Sequence, residues 1–227
     1  MMVRSMGIKN VFDLSVTVGN DDITWALAPR VKISRRRIFT SEDPVNAEDI
    51  VAPVHFGTHI DAPYHMIDEG ATIEKMDPSL FIGRGNFIDL SYKKPSEKIT
   101  PADLEGKDIQ EGDIILFYLN WYRFRGPSDE YLYHYPGIGV EAAEYLASKK
   151  IKGAGSDAYN IEQTDKDKLR GPFPAHIVLN KKDIWVLEGL ADLKPYIGRK
   201  DLTVAAFPIK LAGVGGSPAR VVALEFD

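Results

Sequence analysis

Residues 55 to 65 read HFGTHIDAPYH, and this segment constrains the local fold more than any other part of the chain. Gly57 and Pro63 disfavour a helix, because glycine lowers helix stability and proline has no backbone N–H to donate. The β-branched Thr58 also suits an extended chain better than a helix. We therefore predict a strand that runs into a turn. The segment carries four side chains that can bind a metal or move a proton: His55, His59, Asp61 and His65.

The spacing of these side chains favours a metal site. Alternate residues of a strand point to one face, so His55, His59 and Asp61 would share a side, and the turn after Pro63 would bring His65 back beside them. Imidazole nitrogens and carboxylate oxygens are the usual ligands of zinc and similar ions. A single histidine is more often structural, but three of the five histidines in the chain lie here. No glutamate follows His55, so the segment is not an HExxH metalloprotease motif.

More distant residues could complete a second metal position. His176 lies in an apolar run, Ala175–Leu179, that we interpret as a strand, and Glu188 ends the next predicted strand, Ile184–Leu187. A buried carboxylate at a strand end needs a partner. By spacing alone, a structural role for His176 and a surface position for Glu188 stay open. His134 lies in an aromatic loop, where a surface role and a role at a substrate entrance are equally open.

Composition excludes several classes of protein. The chain has 227 residues, a net charge of −5 and no cysteine, so disulfides and thiolate ligands are excluded. We expect no nucleic-acid partner, since such proteins usually present a basic face. The run Arg35–Arg37 is interpreted as a solvated strand or loop. No apolar run approaches the ~20 residues of a membrane span.

The start of the chain, MMVRSMGIKNVF, has no apolar stretch of the kind found in a secretory signal. With the absence of cysteine, this favours a cytoplasmic protein without a membrane partner.

Hydrophobic patterning predicts many short strands and few helices. Besides the runs around His176 and Glu188, the predicted strands are Val11–Val16, Val31–Phe39, Gly85–Leu90, Asp113–Tyr118, Ile151–Ser156, Leu202–Pro208 and Arg220–Phe226, with Asn46–His55 alternating between apolar and polar residues. Helices are predicted at Pro101–Leu104, with Thr100 as N-cap, and at Val140–Lys149; residues 213–218 are interpreted as a loop. We therefore expect a single mixed α/β domain over residues 1–227, rich in strands.

The motif His55-x-Gly57-Thr58-His59-x-Asp61-x-Pro63-x-His65 resembles the HxGTHxDxPxH signature of the metal-dependent cyclase-like hydrolases, which include kynurenine formamidases (arylformamidases) and isatin hydrolases. Every fixed position matches. Further blocks that resemble this family are DLS at 13–15, GDIILFYLNW at 112–121, GSDAYNIE at 155–162, HIVL to IWVLEGL at 176–190 and GGSPARVVAL at 215–224. The resemblance therefore extends over nearly the whole chain.

The resemblance implies a swivelling β/β/α fold and a centre of two divalent ions, zinc in most members and manganese in some. It assigns the first metal to His55, His59 and Asp61. It assigns the second to Asp61 and His176, with Glu188 in contact with both. His65 would be the general acid/base. Trp25, thirty residues before His55, corresponds to a substrate-contacting tryptophan of the formamidases. A homodimer or homotetramer is also implied.

The expected reaction is the hydrolysis of a small amide, foremost an aryl formamide such as N-formylkynurenine, by hydroxide that the metal supplies, with His65 transferring the proton. The alternatives are a cyclic amide of the isatin type or a lactone and, in another class, a metal-dependent protein that binds a small ligand without turnover. Two segments depart from the usual family pattern: residues 157–162, DAYNIE, and the loop Trp121–Pro136. We expect both to line or cover the pocket and to leave the substrate open.

Overall fold

The computed structural model describes residues 7–25, 28–39, 44–164, 166 and 171–227. For residues 36–39 and 44 it describes the backbone but not the side chains. Three sequence predictions fall partly outside this set. They concern the start of the chain at residues 1–6, the side chains of Arg36 and Arg37, and the end of the segment 157–170.

Strands dominate the described residues, as predicted. The described residues form twelve strands, β1 to β12 in chain order, at Ile8–Asp13, Lys32–Phe39, Pro44–Val51, His59–Asp61, Ile82–Asp89, Lys98–Ile99, Ile114–Tyr118, Gly137–Ile138, Gly153–Ser156, Trp185–Glu188, Leu202–Pro208 and Gly216–Phe226. Four α-helices, α1 to α4, lie at Pro101–Leu104, Asp129–Tyr133, Val140–Ser148 and Pro174–Asn180. Among the described residues, no helix has the length and apolar character needed to span a membrane.

Eight strands form one sheet in the order β1-β12-β11-β5-β7-β9-β10-β4. The last strand, β4, also pairs with β12, so the sheet returns on itself as a barrel-like ring. Strands β5, β7, β9 and β10 run parallel to one another, whereas β11 pairs antiparallel with β5 and β12, and β4 pairs antiparallel with β10 and β12. The hairpin β2–β3 and the short pair β6–β8 form separate two-stranded sheets.

Strand β7 explains the continuous apolar run at 113–118, because both faces of the strand are buried. Ile115 and Phe117 pack into a core that also contains residues of the helices, such as Leu146 of α3. Ile114 and Leu116 alternate to the opposite core, inside the closed sheet. A strand covered on both faces reads as an unbroken apolar stretch rather than an alternating one.

Helix α3 is confirmed to within a residue of its predicted bounds. Ala142, Ala143 and Leu146 form its buried stripe, and the helix packs against α4. Helix α1 is also confirmed, with a capping box in which Thr100 and Asp103 bond reciprocally. That the whole chain forms one domain over residues 1–227 stays a prediction.

Two local predictions were wrong. The run Ala175–Leu179 is not a strand but most of helix α4, which begins with Pro174 in its first turn. Proline is well tolerated there, and short apolar runs do not distinguish a strand from a buried helix. The predicted loop at 213–218 ends early, because β12 begins at Gly216 and pairs with β4.

Candidate active site

Strand β4 is the centre of the site, because its neighbours in the sheet bring distant residues to it. On one side it pairs with β10, where Glu188 lies opposite His59. On the other side it pairs with β12, where Gly216 lies opposite Asp61. His59 and Asp61 are alternate residues of a strand, so their side chains share a face. The antiparallel register therefore places the Glu188 carboxylate beside two residues of the histidine segment.

The prediction that one extended strand carries His55, His59 and Asp61 is only partly right. Gly57 adopts a left-handed backbone with φ of +56°, so the chain bends between His55 and the strand. Thr58 holds the bend, since its hydroxyl donates to the Gly189 carbonyl at 2.7 Å and accepts from the Val16 amide at 3.0 Å. The bend returns the His55 ring to the same carboxylate that the strand presents.

The first group of metal-ligating atoms consists of His55, His59 and Asp61. The His55 Nδ1 lies 2.6 Å from the Asp61 Oδ1, and the His59 Nε2 lies 3.6 Å from the same oxygen. His59 and Asp61 are buried, and His55 is half-buried. The ligand atoms of the three residues lie within 4.8 Å of one another, which is compact enough to hold a single ion.

The second group consists of Asp61, His176 and Glu188, all buried. The His176 Nε2 lies 3.2 Å from the Glu188 Oε1 and 3.9 Å from the Asp61 Oδ2. The other Glu188 oxygen lies 3.4 Å from the His59 Nε2, so this carboxylate faces a histidine of each group. Asp61 belongs to both groups. The structure thus brings together all five residues that the sequence nominated as ligands.

The buried carboxylates of this cluster, Asp61 and Glu188, are paired with histidines, and among the described residues they have no other ion-pair partner. Burial opposes the charged form of His59, yet its bond to Glu188 and the charge of Asp61 raise its pKa to about 9. Burial likewise opposes charge on His176, but Glu162 and Glu188 raise its pKa to about 10. Burial opposes ionisation of Asp61, and the neighbouring histidines still hold its pKa well below the ordinary value. The cluster therefore attracts positive charge strongly.

His65 lies in the short helical turn Pro63–His65 that follows β4. Its ring centroid is 4.2 Å from that of His55, and its side chain is exposed to the cavity in front of the cluster. Loss of solvent contact within the surrounding protein lowers the pKa of His65, although the negative charge of the nearby Asp61 opposes this shift. His65 belongs to neither group of ligand atoms, and its role as a separate acid/base stays a prediction.

A cavity of about 440 Å³ opens in front of this cluster, and aromatic rings form part of its wall. The aromatic residues that line it are Trp25, Phe56, Tyr131, Tyr159 and Phe173. Trp25 stacks on Tyr159 with 6.0 Å between ring centroids and 5° between planes, and meets Phe173 edge-on. The volume and lining are typical of a site for a small, flat molecule.

Both segments that depart from the family pattern contribute to this cavity, as expected. Arg125 and Tyr131 come from Trp121–Pro136, and Tyr159 and Asn160 come from residues 157–162. His134, by contrast, is exposed and is not among the cavity residues.

The sequence did not reveal the contacts of Glu162 with His176 or of Arg125 with Asp22. The Glu162 carboxylate lies 2.9 Å from the His176 ring, and Arg125 Nη2 donates to both oxygens of Asp22 at 2.7 Å. These pairs are 14 and 103 residues apart, so no spacing pattern could have identified them.

Position 216 requires a glycine, because residues of the site pack closely against its backbone. A Cβ atom at this position would overlap the Cε1 of His55 and lie 2.8 Å from the Ile60 carbonyl oxygen. We expect Gly216→Ala to displace the His55 ring and to lower Zn²⁺ affinity roughly tenfold, since overpacking a filled site costs about 1–3 kcal/mol. Isothermal titration with Zn²⁺ measures this. Gly19→Ala is the control, because a Cβ there meets nothing within 4 Å. Unchanged affinity in Gly216→Ala would show that His55 is not held by this contact.

Comparison with known proteins places this site in a family. Residues 12–163 match the model of the Cyclase family. The chain is 32% identical over 216 residues to the isatin hydrolase of Roseibium aggregatum, covering 86% of this chain and 81% of that protein. It is 27% identical over 212 residues to the kynurenine formamidase of Bacillus cereus, covering 92% and 95%.

Solved structures have the same fold. An isatin hydrolase bound to the product analogue thioisatinate superposes with a TM-score of 0.84 at 28% identity, covering 94% of this chain and 91% of that one. A predicted metal-dependent hydrolase from Bacillus stearothermophilus gives a TM-score of 0.75 at 29% identity, with 97% and 99% covered. The predicted fold class, a strand-rich α/β fold of the swivelling β/β/α type, is confirmed. The chain belongs to the Cyclase family and is an enzyme of the hydrolase type.

Proposed function

We propose that this enzyme hydrolyses a small aromatic amide, foremost an aryl formamide such as N-formylkynurenine, to kynurenine and formate. The observation that carries the proposal is the arrangement of one cavity. Five side chains able to bind metal form one cluster, with His65 beside them. This cluster lies at a cavity whose wall includes several aromatic rings. The kynurenine formamidases among the relatives support the same substrate class.

The donor set fits divalent ions. Asp61 and Glu188 are buried, and among the described residues their only ion-pair partners are histidines, so a cation would compensate their charge. We propose that His55, His59 and Asp61 hold one ion and that Asp61, His176 and Glu188 hold a second. Nitrogen and oxygen donors suit zinc, and manganese is the alternative. When bound, such ions polarise a carbonyl group and lower the pKa of water.

His65 is proposed to transfer the proton. The reaction adds the oxygen of water to the amide carbon and breaks the carbon–nitrogen bond. His65 takes the proton that the water releases and passes it to the leaving amine nitrogen. An imidazole is suited to this because it exchanges protons near neutral pH. Its place beside the ligand cluster and open to the cavity supports the role.

Trp25 is proposed to hold the substrate ring. Its indole forms part of the cavity wall, and the stack on Tyr159 fixes the plane of that indole. Tyr159 is itself anchored, because its hydroxyl donates to the Thr24 carbonyl at 2.9 Å. A flat ring entering the cavity would therefore meet rigid aromatic surfaces, which bind such rings by stacked or edge-to-face contact.

A cyclic amide is the second candidate, supported by the 32% identity to an isatin hydrolase. The test is an assay of metal-loaded protein with N-formylkynurenine, isatin and simple lactones. Turnover of the formamide above the others supports the proposal. Preference for isatin or a lactone favours a sister hydrolase. Stoichiometric metal without turnover of any of them favours a protein that only binds its ligand.

Arg125 provides a discriminating prediction. Arg125 lines the cavity and its guanidinium is paired with Asp22, which is not itself a lining residue. The positive charge of Arg125 matches the carboxylate of an amino-acid substrate, which also carries an ammonium group. Isatin carries neither charge. We expect Arg125→Met to raise KM for N-formylkynurenine about tenfold or more, since a hydrogen bond to a charged group contributes about 1.5–3 kcal/mol. KM for isatin should stay within about threefold, because its neutral rings make no such bond.

Arg123→Met is the matched control, because Arg123 is exposed and lies over the Phe124 ring outside the cavity. Steady-state kinetics with both substrates, alongside melting temperatures, measure the effect. Equal changes of KM for both substrates, or no change for either, would contradict recognition of an amino-acid group by Arg125.

The homodimer or homotetramer and the cytoplasmic location expected from the sequence belong to this proposal as well. Strand β3 supports self-association, since Val45, Ile50 and Val51 expose apolar side chains along it. Exposed apolar side chains of this kind occur at protein interfaces.

A further inference from the structure

Glu162 is a buried carboxylate behind the ligand cluster, and its hydrogen bonds all lead to the start of helix α4. One oxygen accepts from the Ala175 amide at 3.1 Å and the other from the His176 amide at 3.0 Å. The second oxygen also lies 2.9 Å from the His176 ring Nδ1. Glu162 thus holds both the backbone and the ring of one proposed ligand.

These contacts determine which ring nitrogen of His176 faces the cluster. An ionised carboxylate can only accept hydrogen bonds, so the Nδ1 beside Glu162 carries the proton. The Nε2 then points to Glu188 at 3.2 Å and Asp61 at 3.9 Å. A metal that displaces the Nε2 proton would therefore meet a lone pair directed into the second group of ligand atoms.

The backbone of Glu162 is held as firmly as its carboxylate. The Glu162 amide donates to the Asn160 Oδ1 at 2.7 Å, and the Tyr135 hydroxyl donates to the Glu162 carbonyl at 3.0 Å. Among the described residues, His176 is the only ion-pair partner of this carboxylate. Within the part of the chain that the structure describes, its negative charge therefore acts on His176 alone.

His59, a ligand of the first group, has no such charged partner at its Nδ1 among the described residues. The His59 Nδ1 lies 3.1 Å from the carbonyl oxygen of Gly57, which is a neutral acceptor. A charged acceptor makes a stronger hydrogen bond and a more basic imidazole than a neutral one. The two groups, although they share Asp61, are therefore electrostatically different.

We propose that Glu162 is a positioning residue for His176, and that its hydrogen bonds make the group Asp61, His176 and Glu188 the stronger of the two metal positions. This inference rests on the proposed pair of metal sites. It assigns a role to a residue in the segment that departs from the family pattern, at the same place where Asn160 lines the substrate cavity.

The test titrates Zn²⁺ alone into metal-free protein against a chromophoric chelator, which resolves two binding steps. In Glu162→Gln the amide keeps the size of the side chain and removes its charge. We expect the tighter step to weaken by about 10–100-fold and the weaker step to stay within about threefold. Glu141→Gln, an exposed glutamate of α3, is the matched control and should change neither step.

A double mutant separates positioning from general stability. Adding Glu162→Gln to His176→Ala should cause no further loss of Zn²⁺ affinity, because Glu162 acts through His176.

In the Zn²⁺-loaded wild type, the ring N–H proton of His176 should resonate far downfield by NMR, and it should move upfield in Glu162→Gln. His176→Ala identifies this resonance by its loss.

The inference is overturned if Glu162→Gln weakens both steps equally, weakens neither, or leaves the ring proton unmoved. A wild-type protein that binds no Zn²⁺ contradicts the proposed metal sites, and with them this inference. Failure of every amide substrate, together with a selective loss of one Zn²⁺ step, contradicts the proposed reaction and supports the role of Glu162.

Discussion

Replacing Asp61 with asparagine should remove both of the proposed metal ions and lower turnover about 10³-fold or more, because such ions contribute several kcal/mol to catalysis. Asp61 is the one residue that belongs to both groups of ligand atoms. One of its oxygens lies 2.6 Å from the His55 ring, and the other faces His176. An amide keeps the volume but loses the charge and one acceptor oxygen. Elemental analysis after dialysis and steady-state kinetics measure the two effects.

The control for this variant is Asp89→Asn, which makes the same chemical change at an exposed strand end. It should keep full metal content and turnover. Asp61→Asn should remain folded by circular dichroism, because the site lies at one end of the short strand β4 rather than in either apolar core. Full metal content in Asp61→Asn would show that this carboxylate is not the shared ligand.

Replacing His65 with alanine should lower turnover by about 10²–10⁴-fold while the metal content stays unchanged. His65 is close to the cluster, with its ring 4.2 Å from that of His55, but it belongs to neither ligand group. Its removal should therefore abolish proton transfer and leave the ligands in place. The contrast with Asp61→Asn, which should lose both metal and turnover, makes the pair of variants diagnostic.

His134→Ala is the matched control, since His134 is the exposed histidine outside the cavity. It should retain the kinetics and the metal content of the wild type. The pH dependence of kcat/KM should lose one of its limbs in His65→Ala, because the group that exchanges protons is gone. Full turnover in His65→Ala would assign proton transfer to another group.

Several elements were predictable from local sequence because their pattern has one interpretation. The run at 113–118 is too short for a helix and too apolar for an exposed strand, and β7 is buried on both faces. The stripe of α3 repeats with helical spacing over nine residues. The run Ala175–Leu179 was wrongly predicted as a strand, because a short apolar run also suits a buried helix. In the helix that forms, Glu162 accepts from two amides at the start of α4.

The site, too, has parts that the sequence predicted and parts that it left open. The ligand types and the membership of the Cyclase family follow from the sequence, whereas the left-handed bend at Gly57 was not predicted. Sequence spacing alone left His176 and Glu188 uncertain. Their place beside β4 depends on the register of β10 against that strand and on the packing of α4.

The sequence by itself therefore determined the chemistry, because the segment HFGTHIDAPYH carries nitrogen and oxygen ligands and a proton carrier within eleven residues. Only the tertiary structure decided how Glu188 and His176 come to lie beside β4, that Glu162 contacts His176, and that the cavity residue Arg125 pairs with Asp22. The reason is physical. Ligand identity is a property of single side chains, whereas sharing, orientation and charge pairing depend on strand register and loop packing between residues far apart in the chain.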